Sequence, residues 1–132
     1  GQEAAAGLGR VGPINDSRTL GDLADKVKEA LGCESVRLAG DPAAPVARAA
    51  VLTGSGGGMA GALRRAGAQA FVTGEMKYHD LSDLAAAGTG VILGGHWRTE
   101  RVALAAWTPR LAEAVDVEVV LAERERDPAV WR

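Results

Sequence analysis

Sulfur and imidazole are scarce in this chain. Cys33 is the one cysteine among 132 residues, and His79 and His96 are the only histidines. A lone cysteine excludes an internal disulfide and fits a reducing cytoplasm. It also excludes a cysteine-built metal cluster, so any metal site must be assembled from His, Asp and Glu. Two histidines are few for a complete site. Neither sign of charge dominates: 15 basic against 17 acidic residues leave a net charge of −2. That balance gives no electrostatic case for nucleic acid or an anionic membrane as partner. No apolar run approaches the ~18 residues that a membrane span requires. The chain also lacks an initiator Met, and its opening GQEAAAGLGRVGPIND is rich in Gly and Ala. Such a start reads as a passage into the domain from something upstream, so the chain is expected to be part of a longer protein.

What remains is an ordinary globular composition, 47% hydrophobic and 24% charged, enough for one domain with one core. Residues 1–18 read as a leading segment in loop or extended form, because Gly7, Gly9, Gly12 and Pro13 oppose a helix. The body is expected over 19–122 and a surface tail over 123–132, with Trp131 docked on the body or on a partner. Thr19 and Asp22 form an approximate capping box ahead of Leu20, Leu23, Val27, Ala30 and Leu31 at helical spacing, with Gly32 as the stop. Strands are expected at 35–39 and 46–53, joined as an antiparallel hairpin at one edge. Then come helix 59–67, strand 69–73, helix 77–87, strand 90–93, helix 96–114 and strand 117–122, with Pro109 a candidate break in the last helix. Strands alternating with short helices predict an α/β fold: a mostly parallel sheet of about five strands, covered on both faces.

In such a fold every strand-to-helix loop emerges at the carboxyl edge of the sheet, where ligands collect. Three loops converge there. The third, Gly94 to Glu100, places His96 and Glu100 four residues apart at the start of a helix, on one face. Imidazole and carboxylate are both good ligands for a divalent transition metal. The blander reading is a surface or capping pair. Thr99 could support His96 from behind, and Trp97 and Arg98 could shape a pocket. The second loop carries Glu75, Lys77, His79 and Asp80. Glu75 or His79 could serve as general base on a metal-bound water, or the group is simply an acidic first turn of a helix. The first loop holds Gly54, Gly56, Gly57 and Gly58. Its backbone N–H groups could cradle a phosphate, or it is a tight turn. No Gly-Lys-Ser/Thr follows, so it is not a P-loop. Gly56, Gly58 and Gly61 match the dinucleotide fingerprint, with Glu75 about 20 residues on as a ribose-binding acid.

Four stretches together, GLGRVG (7–12), VLTGSGGG (51–58), FVTGEMKYHD (71–80) and GGHWRTE (94–100), resemble the C-terminal half of the Nif-three-like family, the type 2 GTP cyclohydrolase I homologues. The resemblance runs from about Gly7 to Val120. Gly94 departs from it slightly, standing where an acidic or another small residue is usual. The resemblance implies one half of a two-part fold of related α/β units. It implies a centre of two divalent metals (zinc, manganese, iron or magnesium) to which this half gives His96 and Glu100. The other ligands, a His-His pair and an Asp, would come from the missing N-terminal half. Glu75, Lys77, His79 and Asp80 would border the pocket, and the complete protein would form ring-shaped hexamers. The implied reaction is opening of a purine-nucleotide ring by metal-activated water.

Three functions therefore compete: half of a dinuclear metal hydrolase, a dinucleotide-binding module, and a non-enzymatic metal-binding or assembly domain. Under the first, this chain alone is expected to bind metal weakly and to be inactive, and His79 is expected near His96 and Glu100.

Overall fold

A computed structural model describes residues 7–129. Strand β1 (Arg10–Pro13) precedes helix α1 (Leu20–Leu31), followed by β2 (Arg37–Ala39), β3 (Arg48–Ser55), α2 (Ala60–Arg65), β4 (Ala70–Glu75), α3 (Tyr78–Ala86), β5 (Gly90–Leu93) and α4 (His96–Ala114). The strands form one sheet in the order β1-β3-β4-β5-β2. β3, β4 and β5 run parallel, and β1 and β2 are antiparallel edges beside β3 and β5.

β5 shows why this sheet is covered on both sides. All four of its residues are buried, so it has no solvent face. Val91 and Leu93 face a core with Phe71, Leu63 of α2 and Leu84 of α3. Ile92 faces the opposite core with Ala70 and with Leu20 and Ala24 of α1. α1 starts and stops where local chemistry dictates. The Thr19 hydroxyl accepts the Asp22 N–H at 3.1 Å, and the Asp22 carboxylate accepts the Thr19 N–H at 3.0 Å. Gly32 ends the helix in the left-handed conformation, φ 60°.

Four expectations need correction. Strands β2 and β3 do not form a hairpin: β2 pairs with β5, while β3 lies between β1 and β4. Part of the leading segment is a true strand. β1 pairs with Arg48–Val51, and Pro13, which has no N–H to give, sits at the strand's end where none is needed. Residues 117–122 form no strand, and Val117 and Val120 are exposed. Their alternation suits a strand, but alternation supplies no partner, and the segment pairs with neither β1 nor β2. Pro109 does not end α4, which continues to Ala114. Trp131 lies outside the described residues.

Candidate metal centre

The carboxyl ends of β3, β4 and β5 bring the three loops side by side. The Gly56 N–H donates to the Glu75 carbonyl at 3.0 Å, and the Gly95 N–H donates to the Gly74 carbonyl at 2.9 Å. The register between β3 and β4 shifts between Leu52 and Ser55, and Gly54 takes a left-handed φ of 68° there. That bulge turns the Gly54 N–H onto the hydroxyl of buried Thr99 at 3.0 Å. Thr99 in turn donates to the Gly95 and His96 carbonyls, both at 3.0 Å. Thr99 thus supports His96 through the backbone rather than through the ring. Glycine is required where these loops close. A Cβ on Gly54 would run into the Glu100 carboxylate, and one on Gly74 would lie 2.9 Å from the His96 Cα.

On this platform His96 stands between two carboxylates. Its Nδ1 is 2.9 Å from Glu75 Oε1, and its Nε2 is 3.2 Å from Glu100 Oε1. The three side chains are about half exposed. The hydrogen bond to Glu75 holds the His96 imidazolium above its ordinary value of 6.5; burial opposes this and the Glu100 charge assists it. Neutral His96 with Nδ1–H on Glu75 would aim a lone pair at a carboxylate oxygen. The arrangement needs a positive species between Nε2 and Glu100, either a proton or a cation. Two ligands at about 2.0–2.2 Å from one cation lie roughly 3 Å apart, so the spacing fits. Among the described residues no group of three or more His, Cys, Asp or Glu side chains could hold a metal ion. Glu75, His96 and Glu100 by themselves therefore do not make a complete metal site.

The pair opens into a cleft of about 490 Å³. Glu75, His96, Trp97 and Glu100 line it, together with Arg37 of β2 and Asp127 of the tail, both missed from the sequence. Arg37 reaches it because β2 is antiparallel to β5, which sets Arg37 beside Leu93. The tail is tied back through Arg101, whose guanidinium donates to the Ala122 carbonyl at 3.0 Å and lies 3.7 Å from Glu125. No motif signals either residue.

Other candidates fall elsewhere. His79 does not line this cleft; it is exposed in the first turn of α3, with its ring edge-on to Tyr78. Lys77 is the exposed residue ahead of α3, and its side chain makes no capping bond. Asp80 turns towards the glycine loop, 3.4 Å from where a Gly57 Cβ would stand. Arg98 packs near Gly95. The glycine loop itself is poorly disposed to hold phosphate. The N–H groups of Gly54 and Gly56 are already committed, the Asp80 carboxylate faces Gly57, and α2, which follows Gly58, has six residues. Gly61 lies inside α2.

Known proteins resemble this chain in sequence and in fold. The family model DUF34/NIF3 (NGG1p interacting factor 3) matches residues 2–128. The chain belongs to this family. It is 29% identical over 128 residues to the GTP cyclohydrolase 1 type 2 homolog of Clostridium perfringens, covering 96% of this chain and 49% of that protein. It is 33% identical over 128 residues to NIF3-like protein 1 of Rattus norvegicus, covering 92% of this chain and 33% of the relative. The fold matches the crystal structure of Staphylococcus aureus protein SA1388 with a TM-score of 0.83 at 30% identity, over 96% of this chain and 43% of that one. This member of the DUF34/NIF3 family spans about half the length of its clostridial relative.

Proposed function

We propose that this chain contributes the His96 and Glu100 arm of a two-metal divalent centre in a metal-dependent hydrolase of the type 2 GTP cyclohydrolase kind. The single observation carrying this reading is His96 held between two carboxylates at the carboxyl edge of the sheet. Glu75 keeps the proton on Nδ1, which leaves Nε2 as the ligating atom. Glu100 supplies a carboxylate oxygen beside it, and Thr99 fixes the loop that carries both. A bound divalent ion would lower the pKa of its water and stabilise negative charge on a substrate oxygen. A nucleotide is the substrate class suggested by the names of the relatives. Glu75, engaged with His96, is an orienting residue in this reading, not a free base.

The remaining ligands are assigned to the half that the relatives possess and this chain lacks. An apolar groove of about 470 Å³ between α1 and the β1–β3 edge, lined by Val11, Val27, Val51, Val72 and Val102, suits burial by that half. In the complete protein we assign a cytoplasmic setting and a hexameric assembly. A non-enzymatic metal-binding role shares the same ligands and differs only in turnover. The dinucleotide reading has no support from the glycine loop as folded.

The test is manganese broadening of amide resonances in the labelled chain. Loss of signal centred on residues 74–75 and 94–100 supports the reading. Broadening centred on 54–58 or 77–80, or none at millimolar manganese, overturns it.

A further inference from the structure

Arg37 is an exposed cation in the lining of the cleft, and among the described residues its guanidinium has no ion pair and no hydrogen bond. Three carboxylates, Glu75, Glu100 and Asp127, line the same cleft, yet none lies within ion-pair distance of it. Two of them are instead turned to His96. The position is fixed by topology. Arg37 opens β2, pairs with Leu93 at the last residue of β5, and so stands three residues before His96 on the neighbouring strand's path. The lining of the same cleft also includes the apolar surfaces of Met76, Leu93 and Trp97. The volume, about 490 Å³, lies within the range of small-molecule sites.

We infer that Arg37 binds the anionic group, phosphate or carboxylate, of a small molecule whose apolar body lies on Met76, Leu93 and Trp97 and whose reacting end meets His96 and Glu100. The inference deepens the metal-centre reading and rests on it for the reacting end alone. A guanidinium offers a planar fork that matches either oxyanion with two parallel hydrogen bonds. The apolar lining of Met76, Leu93 and Trp97 suits an aromatic or heterocyclic ring. The negative charge of the three carboxylates opposes anion binding, so a cation at His96 and Glu100 should strengthen it.

The test uses phenyl phosphate and benzoate, with inorganic phosphate and neutral phenol as controls. Each is titrated into the labelled chain with and without zinc, following the Arg37 Nε–H and Trp97 indole N–H resonances. The expected result is saturable shifts at both resonances with the two ring-bearing anions and weaker ones with inorganic phosphate. Phenyl phosphate binding should weaken about tenfold or more in Arg37→Ala, with Arg37→Lys in between. Preference for phenyl phosphate or for benzoate decides which oxyanion the site takes. Absence of binding with and without zinc, shifts centred on the glycine loop, or equal affinity in Arg37→Ala overturns the inference. Zinc binding by the same chain and by His96→Ala separates the two readings. Zinc bound through His96 with no anion site sinks this inference alone. An anion site at Arg37 with zinc indifferent to His96 sinks the metal reading alone.

Discussion

His96 carries two carboxylate neighbours, and they decide what its proton does. The Glu75 contact raises its pKa above 6.5 in the folded chain, with Glu100 assisting. Folding therefore gains from this contact fully below about pH 6.5, and the gain fades as pH rises through the higher folded-state value. An NMR titration of the ring should show a midpoint above 6.5, lowered in Glu75→Gln; an unmoved midpoint would mean that Glu75 does not orient the ring. Zinc must displace that proton, so its apparent affinity should rise with pH across the same titration. Thr99 belongs to this scale too. Thr99→Val strands the Gly54 N–H and should cost roughly 1–3 kcal/mol in a denaturant titration. A change within ±0.5 kcal/mol would show that the three loops hold together without it.

At the scale of elements, α1 gives the sharpest expectation. Thr19→Ala removes one arm of the capping box and should cost about 1 kcal/mol by denaturant titration. Asp22 has its pKa lowered, chiefly by the N–H groups of Arg18 and then of Thr19. Its contribution is present above the ordinary value of 3.8 and is lost as pH falls through the lower folded value. This is also where the sequence was most readable. Caps, glycine stops and the alternation of strands with short helices mark the elements by local chemistry. Pairing is not local. β1 was hidden because Gly9, Gly12 and Pro13 speak against a helix and say nothing of a partner strand. Residues 117–122 carry strand-like alternation, yet they pair with neither edge strand. At the site, the His96–Glu100 spacing was readable because both sit on one helix. The Glu75 contact and the place of Arg37 depend on strands far apart in sequence, and the placing of Asp127 depends on Arg101 gripping the tail.

At the scale of the whole molecule, apolar surfaces stand open among the described residues, and two of them are continuous with its elements. One is the groove beside β1, where Val11 and Val51 are exposed; the other is the outer side of α4, with Leu104, Trp107 and Leu111. Open apolar patches of this kind mark interfaces. The chain alone is expected to self-associate in light scattering, with association reduced by Val51→Asp or Trp107→Asp and by co-expression of the part that its longer relatives carry in addition. A strictly monomeric chain that ignores that part would contradict this assignment. Among the described residues no helix is long and apolar enough to cross a membrane.

The central claim is that His96 and Glu100 are two ligands of a divalent cation whose other ligands lie outside this chain. Calorimetric titration with zinc and manganese tests it most directly, comparing the parent chain, the His96→Ala/Glu100→Ala variant and the Lys77→Ala/His79→Ala variant. Weak binding is expected in the parent, none in the first variant and unchanged binding in the second. Binding that survives loss of His96 and Glu100, or that disappears with Lys77 and His79, would contradict it.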